Sequence, residues 1–156
     1  MTMTKRVIFL DIDGPIIPYS MFLLDSMCSF HRVIPPITVA VVREVCKRAE
    51  AKVVFNTTHN QPFRDIPDIE DAVCAAGLPR EYLHDDMKTR YPGITRSTAV
   101  LEWLNRHPEV EDWIAFDDVN FTDKDNLIWV DPDAGLHLTH LNIALERWKC
   151  PQFLVM

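Results

Sequence analysis

No stretch of this 156-residue chain approaches the roughly 18 to 20 uninterrupted apolar residues of a membrane span, so no membrane association is expected. The amino end, Met1 to Leu10, lacks a long apolar region followed by a small-residue cleavage site, and a cytoplasmic protein is expected. The four cysteines, Cys28, Cys46, Cys74 and Cys150, fit no CxxC pattern, which argues against a zinc knuckle or a dithiol redox motif. Basic residues are also scarce. Sixteen Lys and Arg against 23 Asp and Glu give a net charge of −7, which works against broad nucleic-acid binding by phosphate neutralisation. A nucleic-acid substrate would have to be gripped locally. There are no internal repeats and no low-complexity tracts. What is present is 47% apolar composition, enough to close one core under one sheet, and a single domain over 1–156 is expected.

The run Arg6 to Ile12 is continuous and apolar, as in a strand buried on both faces of a parallel sheet, and it ends on acids. Four prolines punctuate the next stretch, residues 14–36, which reads as a loop or flap with one short helix around Phe22 to Phe30. Ile37, Val41, Val45 and Ala49 recur every four residues and predict a helix just after Pro35 and Pro36. Strand two follows at Lys52 to Phe55. Asp68 is placed to cap a helix burying Ile69, Ala72, Val73 and Ala76, and a short third strand is expected near Tyr82 to His84. Ser97 is placed to cap a helix with Val100, Leu101 and Leu104 inward. Trp113 to Phe116 and Leu127 to Val130 read as strands four and five, and Thr139 as the cap of a last helix burying Leu141, Ala144, Leu145 and Trp148. The alternation predicts an α/β fold, a doubly wound parallel sheet of about five strands.

Asp11 and Asp13 share one side of an extended segment where strand one runs out, because strand side chains repeat every two residues. A second pair, Asp117 and Asp118, follows the apolar WIAF. In a parallel sheet both pairs emerge at the carboxyl edge, where ligands collect at the point of reversed winding. Carboxylates crowded there repel unless a cation neutralises them, and hard oxygen donors suit Mg²⁺, with Asp11, Asp13, Asp117 and Asp118 as candidate ligands. Gly14 lets the backbone turn sharply beside these acids.

The string VIFLDIDGPII resembles the first motif of the haloacid dehalogenase-like (HAD) phosphatase superfamily. That resemblance implies that Asp11 is the nucleophile and Asp13 the general acid/base. The second motif, a Ser or Thr ending strand two, is matched in VVFNTTHN by Thr57, with Asn56 and Thr58 as neighbours that shift the register by one. The third motif is normally a Lys before strand four. TRSTAVLEWL offers Arg96 instead, which can still neutralise phosphate, and Lys88 is the substitute. The fourth motif is IAFDD, implying Mg²⁺ at Asp117 and Asp118. With LIWVDPDAGL, these runs look closest to the small HAD domains of Swiss Army Knife-type RNA repair proteins.

The resemblance implies an Mg²⁺-dependent phosphomonoesterase with an aspartyl-phosphate intermediate. Neither gap where such enzymes carry a cap has room for a large one, so the site is expected to be open and the substrate a nucleotide or a nucleic-acid phosphate end. Gly14, Asn56, Thr58, His59 and Lys88 are candidate substrate-binding residues. Tyr19, Met21, Phe22 and Phe30 in the flap offer either stacking surface for a base, or core packing or a homodimer contact. The alternative is a catalytically silent HAD-fold module binding a nucleotide or a protein, motivated by the Arg in the third motif. His137 and His140 lack a third ligand, so no zinc site is read.

Overall fold

The computed structural model describes residues 4–23, 34–60, 68–90, 95–121 and 124–154. Five parallel strands form one sheet: β1 (Arg6–Leu10), β2 (Ala51–Phe55), β3 (Leu83–Lys88), β4 (Asp112–Asp117) and β5 (Leu127–Trp129), in the order β3-β2-β1-β4-β5. Four helices connect and flank them: α1 (Pro36–Ala49), α2 (Ile69–Ala75), α3 (Arg96–Asn105) and α4 (Leu138–Arg147). Among the described residues no cap domain stands over the sheet, and no helix is long and apolar enough to cross a membrane.

The chain winds outward from β1 through β2 to β3, then returns to the other side of β1 for β4 and β5. Right-handed crossovers place helices from the two winding directions on opposite faces, and the two cores show that division. On one face α1, α2 and α4 cover Ile8, Leu10, Val53, Phe55, Ile114 and Phe116; on the other, Val100 and Trp103 of α3 cover Val7, Phe9, Val54 and Ala115. Strands so enclosed on both faces explain the continuous apolar runs that marked β1 and β4.

Several local expectations need correction. Ile37 is exposed while Thr38, Val39 and Val42 are buried, because a strict four-residue spacing drifts by about 40° per step around a 3.6-residue helix. In α3 Trp103 takes the inward place expected of Leu101, which is exposed. Asp68 precedes α2 but makes no side-chain capping bond. The cap of α3 is Thr95 rather than Ser97: its extended backbone lets Oγ1 accept the Thr98 N–H at 3.0 Å. The helix therefore begins two residues sooner, with Arg96 as its first member. The cap of α4 is His137 rather than Thr139, its Nδ1 accepting the Thr139 N–H, while His140 Nδ1 accepts the His137 N–H. The helix expected around Phe22 to Phe30 is a 3₁₀ turn at Tyr19–Leu23 as far as the described residues extend; Phe30 lies outside them.

Candidate active site at the carboxyl edge

β1 and β4 run side by side in the register Leu10 to Phe116, and the ladder continues through the Asp11 N–H, which donates to the Phe116 carbonyl at 3.1 Å. That register carries Asp11 and Asp117 past the sheet together, at the point where winding reverses. Both are 1% exposed. Asp118 follows, half-buried. Among the described residues, oxygen atoms of Asp11, Asp117 and Asp118 lie within 4.8 Å of one another.

Arg96 reaches this cluster from the first turn of α3. Its Nη1 is 2.7 Å from Asp11 Oδ1 and 3.0 Å from Asp117 Oδ2, and it donates to the Asn56 carbonyl at 3.4 Å. The Arg96–Asp11 contact acts by charge, since neither oxygen of Asp11 accepts a well-directed hydrogen bond among the described residues. Burial pushes the Asp11 carboxyl above the usual carboxylate range, with the Arg96 charge opposing. Burial pushes Asp117 up as well, and the neighbouring Asp11 charge adds to it. With all three carboxylates ionised, one guanidinium would leave two negative charges uncompensated, and Asp11 and Asp117 are nearly shut off from water. A hard divalent cation matches that deficit in charge and in donor chemistry. The residues present thus fit Mg²⁺, with Asp11, Asp117 and Asp118 as the converging donors.

Asp13 is not among those converging carboxylates. The period-two reading assumed an extended chain, whereas β1 ends at Leu10 and the chain bends at Ile12, whose carbonyl accepts the N–H groups of Ile16 and Ile17. Asp13 bridges to Ile17 and stays close enough for its charge to bear on Tyr19. The Tyr19 phenol is pushed up, by burial first and then by Asp118, Asp13 and Asp11. Gly14 has φ +104°, and a Cβ there would come 3.3 Å from Asp118 Cγ and from Pro132 Cα. Only glycine tolerates that backbone while leaving Asp118 in place.

Thr57 lies buried just past β2, which pairs with β1. Asn56 is spent on structure: its Oδ1 accepts from Thr89 Oγ1 at 2.9 Å and its Nδ2 donates to the Arg96 carbonyl at 3.3 Å, tying the ends of β2 and β3 to the start of α3. Thr58 and His59 belong to the short 3₁₀ turn after it; the His59 side chain lies outside the described residues. Of the two cations expected for the third motif, Arg96 lies against the acids, whereas Lys88 pairs with Glu70 at 3.0 Å.

Trp129 was absent from the expected site. It is the register partner of Asp117 on β5, the residue is 53% exposed, and its Nε1–H donates to the Asp118 carbonyl at 3.0 Å. The available signal was a tryptophan at the end of a strand whose preceding residue, Ile128, is buried.

The family model described as the HAD domain in Swiss Army Knife RNA repair proteins matches residues 7–141. No curated protein and no solved structure matches the chain.

Proposed function

The chain belongs to the family of HAD domains in Swiss Army Knife RNA repair proteins, and we propose that it is an Mg²⁺-dependent phosphomonoesterase acting through an aspartyl-phosphate on a nucleotide or nucleic-acid phosphate end. The observation that carries this reading is the convergence of Asp11, Asp117 and Asp118 on one another, with Arg96 bridging the first two.

Asp11 is the nucleophile. Its carboxylate attacks phosphorus in line, forming the Asp11–phosphorus ester as the bond to the leaving oxygen breaks. Asp13 donates a proton to that oxygen, then takes one from the water that attacks phosphorus, which releases inorganic phosphate and restores Asp11. Thr57 donates a hydrogen bond to a phosphoryl oxygen. Arg96 neutralises charge on the transferred group while holding Asp11 ionised and in place. Asp11, Asp117 and Asp118 would hold Mg²⁺, which when bound would supply Lewis-acid neutralisation of the phosphoryl oxygens. Gly14 keeps the turn close to Asp118, and an Arg in the third motif suits a group that must contact two carboxylates at once.

The test is phosphate release from a panel of phosphomonoesters that includes 3′-phosphorylated oligonucleotides, with Mg²⁺, with EDTA, and with Asp11→Asn. The expected result is metal-dependent release that falls at least about 10⁴-fold in the variant. Mg²⁺ binding by a folded protein that releases phosphate from no ester would overturn the enzyme reading in favour of a catalytically silent module.

A further inference from the structure

We infer that Tyr19 and Trp129 form a stacking subsite for the base of the nucleotide that carries the scissile phosphate, so that the substrate is selected by its terminal nucleoside. This inference rests on the phosphatase reading above and adds its specificity.

Both rings are anchored to the same residue of the acid cluster, from different elements. Tyr19 Oη lies 3.4 Å from Asp118 Oδ2, and Trp129 Nε1 donates to the Asp118 carbonyl. Their polar tips are thereby engaged at Asp118, while the two residues stay 44% and 53% exposed. Two aromatic side chains left partly exposed beside one residue of the acid cluster offer π faces on which a base can stack. Their placement is held from behind. The Tyr19 N–H donates to the Pro132 carbonyl at 2.8 Å and Ser20 Oγ to the Asp133 carbonyl at 2.8 Å, which docks the 3₁₀ turn onto the segment after β5. Gly135 lets that segment pass under the turn: a Cβ there would collide with Pro18 and crowd the Gly14 and Pro15 carbonyls. Phe22 extends the apolar surface, its ring 6.5 Å from that of Tyr19.

The charge balance favours a base over a phosphate track. The chain carries a net −7, and the cation at the site is already held by two carboxylates. A nucleic-acid end therefore gains little from phosphate neutralisation away from the scissile group, whereas aromatic stacking is indifferent to that charge and to base identity. The shared chemistry is a phosphorylated nucleoside, either free or at an oligonucleotide end.

Tryptophan emission tests the subsite without turnover. Trp103 and Trp148 are buried and Trp113 is partly so, which leaves Trp129 as the well-exposed indole of the four. Titrating the Asp11→Asn protein with a 3′-phosphorylated oligonucleotide should quench its emission, and adding Trp129→Ala should abolish the quenching. In the active protein, the ratio of kcat/KM for the oligonucleotide to that for an abasic sugar phosphate should fall about 5- to 150-fold in Trp129→Ala and in Tyr19→Ala. Trp129→Phe should retain most of the ratio, because it keeps a stacking face while losing the N–H to Asp118. An equal loss on both substrates, an unchanged ratio, or a higher kcat/KM for a phosphotyrosine peptide than for any nucleotide would overturn the inference. Comparing a nucleoside monophosphate with the oligonucleotide separates the two sources. A protein that releases phosphate from no ester yet shows the Trp129-dependent quenching would sink the phosphatase reading and leave the subsite standing.

Discussion

At the amino end of the sheet Lys5 pairs with Glu111 at 3.4 Å with both side chains about two-thirds exposed, Arg6 donates to the Ala49 carbonyl and lies over the Trp148 ring, and Trp148 Nε1 donates to Asp112. A concavity of about 690 Å³ opens there, lined by Thr4, Lys5, Arg6, Glu50, Lys52 and Asp112 among others. At the carboxyl end the charge is buried: two carboxylates at 1% exposure share one guanidinium. Space and polar residues alone therefore do not mark the site. The amino end lets water solvate its charges, so its ion pairs are worth little, whereas the carboxyl end holds carboxylates apart from water in a form that a divalent cation would relieve.

The contrast can be broken most sharply at Arg96. Arg96→Met leaves Asp11 and Asp117 buried without their counter-charge, and should destabilise the metal-free protein by about 3 to 5 kcal/mol near pH 8, measured by denaturant unfolding. Arg96→Lys should recover part of that loss.

A smaller effect should appear with pH. Unfolded carboxyls titrate near 3.8, whereas the folded values are about 6 for Asp11 and about 8 for Asp117. The folded state holds more protons across that window, so metal-free stability should be greatest below about pH 4 as far as this pair is concerned. It should fall by a few kcal/mol as pH rises through 8. Saturating Mg²⁺ should flatten the decline, because it replaces the protons. A metal-free stability that rises over this window would contradict the buried-charge account.

Two further substitutions sharpen the comparison from its quiet side. Thr95→Ala removes the cap that sets Arg96 at the start of α3, and should cost about 1 kcal/mol, seen as a lowering of Tm by roughly 2 to 4 °C. Lys5→Met, at the exposed pair on the opposite edge, should change stability by no more than about 0.5 kcal/mol and leave Mg²⁺ binding unaltered.

Most of the strands and helices were legible because the core strands are apolar on both faces and α4 carries a clean apolar stripe. The misjudged helix caps share one cause. Which of Thr95, Ser97, His137 and Thr139 caps a helix depends on the backbone just before the first turn, and propensity favours Ser97 over Thr95 and Thr139 over His137. Leu101 and Trp103 are both apolar on α3, and only the packed sheet decided which faces inward.

The sequence by itself determined that acids end β1 and β4, that a Thr follows β2 and that an Arg opens α3, because these are facts of order and spacing. The tertiary structure alone decided which of them meet. The Leu10 to Phe116 register sets Asp11 beside Asp117, the bend at Ile12 takes Asp13 out of the converging set, and the Glu70 pairing holds Lys88 away. It also brought Trp129 to Asp118, since pairing between β4 and β5 is a long-range register that no local pattern encodes.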